Sequence, residues 1–248
     1  MNKMKNQSKT NTLIVIPIYN EQKYILNVLR EVRKYSQDDL VVINDGSDDE
    51  SADILEEIAS FSKIKGRLII LNHLKNEGYG KSLIDGINFA QNNNYEYLVT
   101  LDCDEQHEPK LIPQFLEEIK KEKIDIVSGS RYLDLQPQDD LPPKERYLIN
   151  CQITKIINQV TRYKLTDSFC GFKAYKVNSL RKLKLNEKGY GFPLQLWIQA
   201  YKNNLVVEEF PVSMIYRDKS RTFGKRLDDP EIRLAYYQKI IDNEVKNA

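Results

Sequence analysis

Two aspartates one residue apart, Asp102 and Asp104, follow the short apolar run Tyr97-Leu98-Val99-Thr100-Leu101. Side chains at i and i+2 of an extended chain point the same way, so both carboxylates can converge on one point. Like charges held side by side repel unless something positive sits between them. A hard divalent cation, Mg²⁺ or Mn²⁺, shared with a substrate diphosphate is the natural candidate. A solvated acidic turn leading into a helix at Pro109 is the plain alternative. Two aspartates alone would favour it, and the surrounding chain reverses that preference.

The elements that must hold this pair are readable from periodicity. Residues 12–16 (Thr-Leu-Ile-Val-Ile) form a continuous apolar, β-branched run, the mark of a parallel strand covered on both faces, and Pro17 is expected to end it. A helical pattern follows through Ile25, Val28, Leu29 and Val32. Strands are expected at 40–43, 68–71, 97–101 and 124–127. Ser47 or Asp48 is placed to cap a helix carrying Ile54, Leu55 and Ile58, and residues 78–80 open another carrying Leu83, Ile84 and Ile87. Strands alternating with helices make βαβ units, hence an α/β fold with a mostly parallel sheet. Ligands in such sheets bind beyond the carboxyl ends of the strands, and three of those ends carry acid: Asp45, Asp102 and Asp104.

After Arg131 the pattern changes. Residues 134–144 are rich in Pro, Asp and Gln and read as a loop; helices are expected at 145–161 and 194–202. Residues 205–215 look like two short strands broken near Pro211, and 228–245 like an amphipathic helix with Ile232, Leu234, Tyr237, Ile240 and Ile241. No repeat or linker divides the chain. The expected organisation is a disordered leader at 1–11, a single catalytic domain at 12–227 and the terminal helix at 228–248. The domain splits into a nucleotide-sugar half, 12–132, and an acceptor half, 133–227, that extends the same sheet.

Composition narrows the classes. With 37 basic against 36 acidic residues, no global field argues for nucleic acid. Cys103, Cys151 and Cys170 are odd in number and widely spaced, which fits neither a disulfide framework nor a zinc site and points to a reducing cytosol. The lysine-rich start lacks the apolar stretch of a signal peptide. No apolar run approaches the ~18 residues needed to cross a bilayer, although peripheral contact with the cytoplasmic face of a membrane stays open.

The motifs Pro17-Ile18-Tyr19-Asn20-Glu21, Asn44-Asp45-Gly46-Ser47, Asn76-Glu77-Gly78-Tyr79-Gly80-Lys81, Asp102-Cys103-Asp104 and Ser128-Gly129-Ser130-Arg131-Tyr132 occur in one order. That order resembles the inverting family-two glycosyltransferases of the GT-A fold. Residues 102–109, with Cys170-Gly171-Phe172-Lys173, are most similar to the dolichol-phosphate mannose synthase and polyprenyl-phosphate glycosyltransferase branch. The resemblance spans about 12–224; each motif alone is weak and the ordered set is strong.

The resemblance implies a GT-A domain with one Rossmann-like sheet and a donor that is a GDP- or UDP-linked sugar. It places Pro17, Tyr19 and Glu21 at the base and ribose, with Asp45 accepting from either; Pro17 as punctuation and Asp45 as a helix cap are the simpler alternatives. Gly80 and Lys81 would favour the donor diphosphate at a helix N-terminus. Asp102 and Asp104 would bind the donor sugar and the metal, and the sugar would move by in-line displacement with inversion. The implied acceptor is a polyprenyl phosphate, whose ionised oxygen needs no general base. Arg131 would clamp that phosphate bidentately, with Arg217 and Arg221 adding charge. A hydroxyl acceptor such as a glycan would need a base, for which Asp167 is the candidate. For His107 a place beside the metal and a hydrogen-bonding prop are the two readings, the prop being preferred, and Cys103 and Cys170 are expected to be buried.

Three departures stand out. Asn44 replaces an acid common in the branch, Gln195 stands where many relatives carry glutamate, and residues 220–224 differ from the usual lysine-bearing form. The first two leave room for a non-catalytic nucleotide-sugar-binding module. A P-loop phosphotransferase is a distant third, because Lys75 occupies the position of the first Walker glycine before Gly80-Lys81-Ser82. A sugar-nucleotide pyrophosphorylase would need a basic, glycine-rich loop where Pro17-Ile18-Tyr19-Asn20-Glu21 stands. The terminal helix can pack on the sheet, pair two copies or rest on a bilayer; packing is the default.

Overall fold

The computed structural model describes residues 10–60, 67–134, 141–216, 222–224 and 226–246. The strands are β1 (Thr12–Ile18), β2 (Asp39–Asn44), β3 (Leu68–Asn72), β4 (Tyr97–Thr100), β5 (Ile126–Ser130), β6 (Lys173–Lys176) and β7 (Val207–Pro211). They form one sheet in the order β3-β2-β1-β4-β6-β5-β7, parallel except for β6. The helices are α1 (Ile25–Tyr35), α2 (Ser51–Ser60), α3 (Tyr79–Asn92), α4 (Ile112–Ile119), α5 (Lys144–Thr161), α6 (Val177–Leu180), α7 (Phe192–Lys202) and α8 (Pro230–Lys246).

The core has two faces because the strands are buried on both sides. Ile14, Ile16 and Val42 pack with α1, α2 and α4, while Leu13, Val15 and Val41 pack with α3, α5, α7 and α8. The result is the expected α/β architecture, three layers with the sheet in the middle.

Four boundaries differ from expectation, each for a local reason. β1 continues through Pro17 to Ile18. The Val15 carbonyl accepts from Leu101 on the β4 side, so Pro17, two residues on, turns its missing N–H to the side where β4 has already ended. α2 begins at Ser51, whose N–H is accepted by the Asp49 carboxylate; Ser47 and Asp48 instead accept bonds from Asn20. β5 lies two residues later than its apolar run suggests, because Ser128 and Ser130 are buried in the sheet. Residues 205–215 hold one strand, ending at Pro211.

β6 has no counterpart in the sequence reading. Its residues, Lys-Ala-Tyr-Lys, show no apolar run, yet they slot antiparallel between β4 and β5, with Lys173 opposite both Thr100 and Ser128. The strand carries 167–172 to the edge of the sheet where Asp102 and Arg131 emerge. Residues 1–9 of the expected leader, 135–140 of the expected loop, and Arg217 and Arg221 lie outside the described residues. Asn11 already caps the sheet, its carbonyl accepting from Glu96 and Tyr97.

Candidate active site

A cavity of ≈ 660 Å³ opens at the carboxyl ends of β1, β2 and β4. Pro17, Tyr19 and Glu21 line it from β1, Asp45 from β2, and Asp102 and Asp104 from β4. Arg131, directly after β5, faces the same space. Most of the residues singled out in the sequence therefore meet in one place.

Asp102 is held on several sides. The Tyr79 hydroxyl donates to its Oδ1 at 2.9 Å, and its backbone N–H donates to His107 Nδ1 at 3.0 Å. Burial raises the Tyr79 pKa well above that of a free tyrosine, and the Asp102 charge raises it further, so the phenol stays a donor. His107 is buried beside Phe172, and this is the propping position expected of it. Behind Asp102 lies Gly171, where a Cβ would sit 2.2 Å from Asp102 Oδ2. A side chain at 171 would have to displace that carboxylate, which gives a physical job to the Cys170-Gly171-Phe172-Lys173 motif. Asp104 accepts from the Gln106 N–H two residues on.

Among the described residues, no group of three or more His, Cys, Asp or Glu side chains could hold a metal ion. Two cavity-lining carboxylates still fit a Mg²⁺ or Mn²⁺ site, because such ions take one or two protein carboxylates and complete their shell with substrate phosphates and water.

Asp45 is buried at the cavity wall and anchors the next loop. Its carboxylate accepts the Glu77 and Gly78 N–H groups at 2.8 Å each, and His73 Nδ1 lies 2.6 Å from Oδ1. Gly80 and Lys81 do not reach the cavity. The Lys81 ammonium pairs with Asp85 at 2.6 Å, and its backbone N–H goes to the Lys188 carbonyl. Gly80 makes room for the backbone of 187–189: its Cβ would meet the Glu187 carbonyl oxygen at 2.3 Å. Gly80 and Lys81 thus face protein where a diphosphate contact was expected, while Gly78, Tyr79 and Ser82 beside them line the cavity.

Asp167 is a correction in chemical role. Its carboxylate is fully buried and takes Arg131 Nε at 2.6 Å, Arg131 Nη2 at 3.0 Å and Asn150 Nδ2 at 2.9 Å. Burial alone would raise its pKa, but the Arg131 charge and these bonds lower it to about 2. A carboxylate so placed is a counter-ion and a very weak base, and it does not line the cavity. Arg131 correspondingly spends two of its three guanidinium nitrogens on Asp167, so Nη1 is the one left for a ligand.

Sequence reasoning missed two arginines of the cavity. Arg146 from α5 and Arg233 from α8 both line the cavity, each 4.6 Å from the Phe223 ring centroid, on which the two guanidinium groups converge. Arg233 is 2 % exposed and donates to the Leu227 carbonyl and to Glu145. The signal lay in the helix: Arg233, Tyr237, Ile240 and Ile241 share the buried face, whereas Ile232 is 40 % exposed. Spacing of i, i+4, i+7 and i+8 marks that face better than apolarity does.

The model of the family described as Glycosyl transferase family 2 matches residues 13–184. A UDP-N-acetylglucosamine–dolichyl-phosphate N-acetylglucosaminyltransferase of Methanococcus voltae is 29 % identical over 222 residues, covering 85 % of this chain and 88 % of its own. An undecaprenyl-phosphate mannosyltransferase of Micrococcus luteus is 26 % identical, covering 83 % of this chain and 84 % of its own. The structure superposes with a TM-score of 0.70 on glucosyl-3-phosphoglycerate synthase from Mycobacterium tuberculosis, solved with Mn²⁺, UDP and glucosyl-3-phosphoglycerate. That match is 17 % identical and covers 96 % of this chain and 81 % of the other.

Proposed function

The chain belongs to glycosyl transferase family 2, and on that premise we propose that it is a metal-dependent, inverting enzyme. It moves a sugar from a GDP- or UDP-linked donor to a polyprenyl phosphate. The observation that carries this reading is the lining of the cavity: carboxylates Asp102 and Asp104 past the end of β4 share it with the guanidinium groups of Arg131 and Arg146.

Asp102 and Asp104 would hold Mg²⁺ or Mn²⁺ together with the donor diphosphate. Such a cation, when bound, neutralises charge on the departing nucleoside diphosphate. Tyr79 and His107 keep Asp102 aimed, leaving the Asp104 carboxylate as its partner. Pro17, Tyr19 and Glu21 form the wall for base and ribose, and Asp45 sets the 77–78 backbone behind them. The acceptor phosphate oxygen attacks the anomeric carbon opposite the leaving group, and Arg131 Nη1 with Arg146 orients it. A phosphate oxygen is already ionised at neutral pH. The burial of Asp167 in its ion pair, which leaves no base there, supports a phosphate acceptor over a hydroxyl.

Two family relatives are named for dolichyl and undecaprenyl phosphate, and a structural neighbour was crystallised with Mn²⁺ and UDP; both support the reading. Among the described residues no helix is long and apolar enough to cross a membrane.

The test is a thermal-shift screen of GDP- and UDP-sugars with and without Mn²⁺, followed by transfer of the stabilising sugar to polyprenyl phosphate. A cation-dependent rise for one nucleotide, and a labelled lipid product, are expected. Donor binding without transfer to any phosphate or hydroxyl acceptor would favour a binding module instead.

A further inference from the structure

Residues 186–191 lie between the terminal helix and the start of α3, and side chains from both ends grip them. From α8, the Tyr236 hydroxyl donates to Glu187 Oε1 at 2.6 Å and accepts the Gly191 N–H at 3.2 Å. Ile240 packs so tightly that a Cβ on Gly191 would lie 2.0 Å from its Cδ1. From α7, the buried Gln195 accepts the Asn186 and Glu187 N–H groups at 2.7 and 2.8 Å through one oxygen. Its nitrogen donates to Asn186 Oδ1 and to Glu244 Oε1 of α8, and Glu244 Oε2 takes a further bond from Gln199.

On its other side the same segment reaches the cavity. The Lys188 carbonyl accepts the Lys81 N–H at 3.0 Å, and the Tyr190 ring stacks on Tyr79 at 5.8 Å and 15°. Tyr79 in turn donates to Asp102. α8 is thus three contacts from the carboxylate that closes β4, although it lies beyond the family-matched residues 13–184.

We infer that α8 is a positioning element of the active site: Tyr236, and Glu244 through Gln195, set residues 186–191, and that segment sets Tyr79 and Asp102. The inference rests on the proposed function only for the identity of the ligand that Asp102 meets. It also explains why residue 195 is a glutamine. A carboxamide can accept two N–H groups with its oxygen and donate to Glu244 with its nitrogen. A carboxylate at that position would face the Glu244 carboxylate with no donor between them.

The experiment compares Gln195→Glu, Glu244→Gln, the double exchange and Tyr236→Phe in the full chain. Two quantities are read: hydrogen exchange at amides 101–107 without ligand, and Mn²⁺-dependent affinity for UDP and GDP by calorimetry. Gln195→Glu should speed exchange at 101–107 and weaken affinity about tenfold, the low end for residues that orient a metal ligand from behind. The double exchange should restore both, since a carboxylate at position 195 still accepts the two N–H groups while a carboxamide at position 244 donates to it. Tyr236→Phe removes one hydroxyl and should act in the same direction even if the charged variant fails to fold. Unchanged exchange at 101–107 in Tyr236→Phe overturns the inference, as does unchanged affinity while the wild type binds nucleotide. A wild type that binds neither nucleotide sinks the proposed function instead, and the exchange data then decide this inference alone.

Discussion

At the scale of single residues the site depends on how Asp102 and Asp104 are surrounded. Gly171 lends itself to the sharpest test, because an added methyl would lie 2.2 Å from Asp102 Oδ2 and must push the carboxylate or the backbone aside. Gly171→Ala should retain its circular-dichroism spectrum while losing most turnover and the Mn²⁺-dependent thermal shift. A fully active Gly171→Ala enzyme would mean that Asp102 is not where donor and cation meet. Asp104→Asn should lose at least about a hundredfold in turnover, since a bound cation contributes several kcal/mol to the leaving group and each ~1.4 kcal/mol is a factor of ten. Its melting temperature should stay near that of the wild type, because the residue stands past the strand end and outside the core. The aspartate pair was legible in the sequence because alternation along a strand is a simple rule. What holds Asp102 was legible only in part: His107 was expected as a prop, but the Tyr79 hydroxyl and the Gly171 gap come from distant segments that only the folded chain brings to it.

Elements explain which sequence expectations met the structure and which did not. Apolar β-branched runs such as 12–16 and 40–43 are buried on both faces, so β1 and β2 announce themselves. β6 does not, because a lysine begins and a lysine ends it, and Lys173 is 2 % exposed beneath Trp197. That hidden strand is why Asp167 looked available as a base. Antiparallel insertion beside β5 sets the segment before β6 against Arg131, and the pair becomes a clamp between segments. With its pKa lowered to about 2, Asp167 stabilises the fold fully above its unfolded pKa of ~3.9, and that contribution is lost as pH falls through about 2. Asp167→Asn should therefore cost roughly 3 kcal/mol at pH 7 by leaving Arg131 without its counter-charge. Urea titrations at several pH values should show the gap to wild type closing as pH falls from about 4 to about 2. A general base would behave otherwise, with the asparagine variant losing turnover while its stability at neutral pH is unchanged.

For the whole molecule, the proposed function asks one cavity to serve a water-soluble donor and a lipid acceptor. Pro17, Asp45 and Asp102 stand at or just past strand ends, which the sheet holds in place. Tyr132, Pro142 and Arg146 also line the cavity, and their chain neighbours Leu133, Leu141, Tyr147 and Leu148 are apolar and 44, 67, 41 and 53 % exposed. Tyr147 and Leu148 lie on the outer side of α5, whose inner side buries Ile149, Ile153 and Ile157. Lys144 and Lys155 flank them on the same exposed face. An apolar stripe edged by lysines suits the boundary between headgroups and acyl chains, where the stripe sinks in and the ammonium groups stay in water. A phosphate held by Arg131 and Arg146 would then have its prenyl tail leaving across this face. Replacing Tyr147 and Leu148 together by serine should reduce transfer to a long-chain polyprenyl phosphate in vesicles severalfold. Transfer to a short, water-soluble isoprenyl phosphate should hold, because neither residue lines the cavity. Sedimentation with anionic vesicles should weaken in parallel. An equal fall with both acceptors would place the two residues in the folding of α5, and the lipid would have to leave the cavity by another side.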